Sequence, residues 1–150
     1  MSIGRLVAAV VSGEATLSLE WDDGWRGEVD LRTLIRDRPA LERLSNAATL
    51  GAAQIASDGW SVEWPSTGID FGAPQLRRWA EEQAGEAMSL SDFRTWLDRH
   101  KLAAAEAARA LGLSSVEVDR FLTGEVAIPK TVMLATEGFD RRHALSLIHI

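Results

Sequence analysis

The chain has no cysteine, only three histidines, no apolar run long enough to cross a bilayer, and no excess of positive charge. Without cysteine there is neither a disulfide framework nor a thiolate metal site, and a reducing cytoplasm is the expected setting. A membrane helix needs roughly 18 consecutive apolar residues, so no membrane partner is expected. The stretch "IGRLVAAVVSGEA" has an apolar core that is short and β-branched. It runs straight into an alternating pattern, so it is read as a first strand and not as a signal peptide. His100, His143 and His149 lack any neighbouring nucleophile or metal-ligand pattern, and no glycine loop is built to cradle phosphate. Asp22-Asp23 reads as turn chemistry and Glu81-Glu82 as a solvated helix face. Neither catalysis, cofactor nor metal is therefore expected.

A hydrophobic content of 46% and a charged content of 25% exclude wholesale disorder. The net charge of −6 excludes a chain that clings to nucleic acid over its whole surface. That charge is unevenly placed. Between Met88 and His143 eight basic residues meet eight acidic ones, so all of the −6 lies before Met88.

The two halves follow different patterns. In "TLSLEWDDGWRGEVDL", Leu17, Leu19 and Trp21 alternate with Ser18 and Glu20, and the alternation resumes at Trp25, Gly27 and Val29. A three-residue loop Asp22-Asp23-Gly24 pairs Trp21 with Trp25 and Leu17 with Val29, keeping the apolar residues on one face. In "AAQIASDGWSVEWP" a two-residue Asp58-Gly59 turn pairs Ile55 with Val62 and puts Trp60, Val62 and Trp64 on one strand face. Between these hairpins "LRTLIRDRPALERL" predicts one or two short helical pieces interrupted at Pro39. From Pro74, the spacing of Leu76, Trp79, Ala80 and Gln83 predicts a helix. Residues 1–84 thus read as an α+β domain of antiparallel hairpins plus helix. The small and acidic residues around Gly85 mark the boundary.

Residues 88–143 read as all-α. Ser89 to Asp92 fits a capping box ahead of Phe93, Trp96 and Leu97. An alanine-rich helix runs from about Ala103 to Leu111, Gly112 makes the bend, and Ser114 or Ser115 caps a third helix with Val118, Phe121 and Leu122 facing inward. Gly124 ends it. Pro129 opens a fourth helix, closed by Gly138. A small residue at the helix contact and a glycine at the turn are what two short, steeply crossing helices require, and Ala108, Gly112 and Val118 have that spacing.

From about Asp92 to Glu137 this region resembles the Cro/C1-type (lambda-repressor-like, XRE) helix-turn-helix family. The resemblance implies that the third helix enters the major groove, with Ser115, Val116, Asp119 and Arg120 toward base edges and Arg120 placed for a bidentate contact to guanine. It places Ser114, Lys130 and Thr131 at phosphates. The family's frequent glutamine at the first position of the second helix is Ala104 here. Family members usually carry a fifth helix near "RRHALSLIHI", often at the dimer contact. The closing "LSLIHI" resembles translated sequencing-adapter read-through, so 144–150 are expected to be a non-native tail.

The "WDDGWRGEVDLRTLI" hairpin and "VEWPSTGIDFGAPQL", with its W-P…G-x-D segment, resemble a small bacterial family of unknown function over about Leu6 to Arg78. Some of its members are joined to a Cro/C1-type domain in the order seen here. Asp70 is expected to hydrogen-bond backbone in the Pro65–Gly68 turn. Alternatively Trp60, Trp64 and Asp70 form a ligand or partner surface, and an exposed tryptophan face would suit a dimer contact. The sequence therefore predicts a cytoplasmic bacterial transcriptional regulator, non-catalytic and dimeric, that binds double-stranded DNA. The alternative is a protein-interaction adaptor of antitoxin type that uses the helix-turn-helix as scaffold.

Overall fold

The computed structural model describes residues 4–148, with side chains through Ala144, as two compact units that divide between Ala84 and Gly85. The chain runs from a first unit rich in sheet to a second dominated by helices.

In the first unit, β1 (Leu6–Ser12), β2 (Thr16–Trp21) and β3 (Arg26–Asp30) form an antiparallel meander in that order. Leu17 sits opposite Val29 and Leu19 opposite Gly27. The Trp21 amide donates to the Trp25 carbonyl at 3.0 Å, and Gly24 takes a positive φ of 88°. Loop length and register are those the alternation predicts. A one-residue slip would turn the buried Leu17, Leu19 and Trp21 to solvent, so the register is firmly specified.

Helix α1 (Arg32–Asp37) and a 3₁₀ helix (Pro39–Ser45) are separated ahead of Pro39, as expected, and a short α2 (Ala47–Leu50) is capped by Asn46, whose Oδ1 accepts from the Ala48 and Thr49 amides. A second antiparallel sheet orders β4 (Gln54–Ile55), β5 (Ser61–Trp64) and β6 (Ile69–Gly72). Ile55 faces Val62 as expected, but the loop is longer. Ala56 N bonds Ser61 O, and Asp58 Oδ1 accepts the Trp60 amide at 2.9 Å. Trp60 therefore belongs to the loop and is 41% exposed, while Val62 and Trp64 are buried. Strand β6, only four residues long, has no counterpart in the sequence-based expectation. Helix α3 (Ala73–Gln83) buries Ala73, Leu76, Trp79 and Ala80.

Buried tryptophans need a partner for the indole N–H. Trp64 Nε1 donates to Leu50 O at 2.9 Å and Trp21 Nε1 to Ala73 O at 3.3 Å, tying both sheets to the helices. Arg77 on α3 binds the β2–β3 loop. Its guanidinium lies 4.3 Å from the Trp25 ring centroid and 5.2 Å from that of Trp21, with ion pairs to Asp23 at 3.0 Å and Glu81 at 2.9 Å. Glu81 is thus a structural partner and not merely a solvated residue. Gln83, at the end of α3, pairs with the Asp30 backbone through both amide atoms, at 2.7 and 3.2 Å.

The second unit comprises β7 (Ala87–Met88), α4 (Leu90–His100), α5 (Ala104–Leu111), α6 (Ser115–Leu122), β8 (Ile128–Pro129) and α7 (Lys130–Ile148). Its core is built on Phe93, Trp96, Ala107, Ala108, Val118, Phe121, Ile128 and Val132. The unit departs from expectation in its class and in the end of its last helix. The two-residue strands β7 and β8 form an antiparallel ladder, Met88 opposite Ile128, too short to show a period in the sequence. Helix α7 also continues through Gly138. A mid-helix glycine costs only about 1 kcal/mol, and Asp140 beyond it is anchored to α4 by Trp96 Nε1 at 2.9 Å, Arg99 Nη2 at 2.6 Å and His100 Nε2 at 2.6 Å. Burial alone would raise the Asp140 carboxyl, but the bonds from His100 and Trp96 and the Arg99 charge hold it below the ordinary carboxylate value. Of the expected tail 144–150, α7 includes residues to Ile148, while residues 149–150 and the side chains beyond Ala144 lie outside the described residues.

Candidate nucleic-acid interface

The α5–α6 pair begins with alanines. Ala107 and Ala108 are buried, and their small side chains let α6 pack close. Gly112 closes α5 with a φ of 73°, and the Leu113 amide reaches back to Ala108 O at 2.8 Å, satisfying a carbonyl at the end of α5. Ser114, not Ser115, caps α6. Its Oγ accepts the Glu117 amide at 3.1 Å while Glu117 Oε1 accepts the Ser114 amide at 3.2 Å. Val118 and Phe121 anchor the inner face, with Phe121 edge-on to Phe93 at 6.0 Å between centroids.

The opposite face of α6 carries Ser115, Val116, Asp119 and Arg120, all exposed, with Val116 at 57%. Residues spaced i, i+1, i+4 and i+5 share one side of a helix, so the structure brings the four predicted base-reading residues together. It treats Ser114 differently. The Ser114 hydroxyl also donates to Glu117 Oε1 at 3.1 Å, so it is engaged in the cap. The same carboxylate lies over the positive end of α6, the position a phosphate would otherwise take.

Lys130 and Thr131 are exposed at the start of α7, whose first turn has no acidic residue. The contrast between the two helix starts is electrostatic: an acid occupies that of α6, whereas that of α7 presents amides beside a lysine. Elsewhere in the unit Arg94 Nη2 donates to Leu122 O at 2.9 Å and Arg99 pairs with Asp140. Among the described residues, Lys101, Arg109, Arg120, Lys130, Arg141 and Arg142 are exposed and make no ion pair. The unit's even charge balance hides this, because Glu106, Glu117 and Asp140 are held by protein donors.

The predicted surface on the first unit does not assemble. Trp64 is 1% exposed and belongs to the core. Trp60 is exposed with the Arg5 guanidinium 5.3 Å from its ring centroid, and Asp70 is exposed opposite Glu63. The turn bond expected of Asp70 is made by Thr67, whose Oγ1 donates to Trp64 O at 2.7 Å and accepts the Ile69 amide at 3.0 Å. Sequence reading missed Thr67 although a Ser-Thr-Gly turn is a fit place for such a hydroxyl. It missed the Arg77–Asp23 pair and the Asp140 cluster because those partners are remote in the chain. Among the described residues no group of histidine and carboxylate side chains is placed to hold a metal ion, and no helix is long and apolar enough to cross a membrane.

The model of the family described as "Protein of unknown function (DUF2442)" matches residues 7–82. Among solved structures, the crystal structure of "Putative DNA Binding Protein NE0471" from Nitrosomonas europaea is similar at 33% identity and a TM-score of 0.60, over 93% of this chain and 90% of that one. No curated protein matches the chain.

Proposed function

The chain belongs to the DUF2442 family, and on that premise we propose that it is a non-catalytic, sequence-specific DNA-binding regulator whose second unit acts as a Cro/C1-type helix-turn-helix. The observation that carries the reading is the outer face of α6. There Ser115, Val116, Asp119 and Arg120 stand exposed on one side of a helix whose other side is locked into the core. The similarity, over 93% of the chain, to the "Putative DNA Binding Protein" of Nitrosomonas europaea supports the same reading.

In this mechanism Arg120 donates two hydrogen bonds to guanine in the major groove and Asp119 accepts from cytosine N4. Lys130 and the amides at the start of α7 contact phosphate, Thr131 adding its hydroxyl. Because Glu117 closes the α6 start, few phosphates are neutralised and base contacts carry an unusual share of affinity. Binding two half-sites about one helical turn apart calls for a dimer.

One observation favours a second reading, a protein-interaction adaptor of antitoxin type: Glu117 stands where a phosphate binder would have none. Arg120→Ala separates the two. It should weaken binding to the operator by about tenfold to a hundredfold if the face reads bases. It should leave capture of a protein partner nearly unchanged if the helices are scaffold. Ordinary folding of the variant, checked by circular dichroism, makes either result interpretable.

A further inference from the structure

We infer that Val116 is the thymine reader of the α6 face: its side chain takes the C5-methyl of a thymine lying within two base pairs of the guanine that Arg120 contacts. The inference rests on the DNA-binding reading above. It gives a role to the apolar member of that face, which hydrogen bonding leaves without one.

Folding of the second unit gives no reason for a valine at this position. Val116 is 57% exposed, and it joins neither the buried core nor the partly buried residues packed against it. Two residues on, Val118 is fully buried, so α6 uses its two valines in opposite ways. A β-branched residue is also a mediocre helix former, and local propensity does not favour it in the first turn. Its neighbours on the outer face are all polar: Ser115 beside it, Asp119 and Arg120 one turn on.

An apolar side chain on a face that reads bases needs an apolar group to meet. The major groove presents one, the thymine methyl. Cytosine lacks it and offers an amino donor, which a valine would leave unpaired, so the same contact selects thymine and rejects cytosine. The spacing follows from the helix. Val116 and Arg120 stand four residues apart on one face, about 6 Å along the axis, which is less than two base-pair steps of about 3.4 Å each. The half-site therefore carries its methyl and its guanine close together.

The test uses duplexes that the full chain selects from a random-sequence pool, each then varied one base at a time. Replacing thymine by deoxyuridine removes the methyl and nothing else. One thymine per half-site, within two base pairs of the guanine whose replacement costs most, should lose about threefold to tenfold in affinity as deoxyuridine. At the same position 5-methylcytosine should bind better than cytosine by a similar factor. Val116→Ser, shown to be folded by circular dichroism, should bind the thymine and deoxyuridine duplexes equally, whereas Ser115→Ala should keep the wild-type difference. A selected sequence bound equally with and without its methyls, or a methyl effect that survives Val116→Ser, would overturn the inference and leave the base-reading proposal standing. A pool that yields no preferred sequence would remove both.

Discussion

The two units use most of their cations differently. In the first, which carries most of the net negative charge, Arg26, Arg32, Arg36 and Arg77 are held by nearby carboxylates and Arg5 lies over Trp60, leaving Arg38 and Arg43 exposed without an ion pair among the described residues. In the second, with its near-even balance, Arg94 and Arg99 brace the fold while Arg120, Lys130 and four other cations make no ion pair among the described residues. Net charge is therefore a poor guide to what a face can bind. What matters is which charges the fold has already engaged.

That contrast can be broken first at Arg77. With a side chain only 12% exposed and two carboxylate partners, Arg77→Ala should destabilise the first unit by about 3 kcal/mol. Urea unfolding followed by tryptophan fluorescence would read this, because five of the six tryptophans lie in that unit. Folded Arg77→Ala should bind DNA as the wild type does. Arg120→Ala should do the converse, costing about 1–3 kcal/mol of operator binding and no more than about 0.5 kcal/mol of stability.

Asp140 is the exception that sharpens the comparison, a carboxylate that works structurally within the second unit. Asp140→Asn should cost roughly 1–2 kcal/mol, since three donors lose a charged acceptor. Its carboxyl is lowered in the folded chain, so its stabilisation is complete above the ordinary carboxylate value and fades as pH falls through the folded one. The gap in thermal stability between wild type and Asp140→Asn should therefore hold at and above about pH 4 and narrow only as pH falls below it. The smallest effect is expected at Glu117. Glu117→Gln retains a side chain able to complete the cap but removes the charge, and should tighten DNA binding about threefold while steepening its salt dependence.

Much of this architecture could be read from the sequence where a local rule applied. The first hairpin followed from strict alternation with Gly24 at the turn, and the α5–α6 pair from Ala108, Gly112 and Ser114. The second hairpin went astray at Trp60, because the Asp58 carboxylate competes for its amide and lengthens the loop, a choice alternation does not encode. Strands β6, β7 and β8 are too short to carry a period. The fourth helix passes Gly138 because of Asp140, whose partners lie some 40 residues back. For the site, helical spacing was enough to put Ser115, Val116, Asp119 and Arg120 on one face. That Ser114 is engaged by Glu117 depended on which of two serines caps the helix.

The central claim is that the outer face of α6 reads base sequence. Fluorescence anisotropy of the full chain with duplex from its own upstream region, beside scrambled duplex and Arg120→Ala, over a salt titration, tests it most directly. The account predicts selective binding with a shallow salt slope of a few phosphates, lost to scrambled DNA and weakened at least about tenfold by Arg120→Ala. Equal affinity for both duplexes, or no binding at low salt by folded protein, would contradict it.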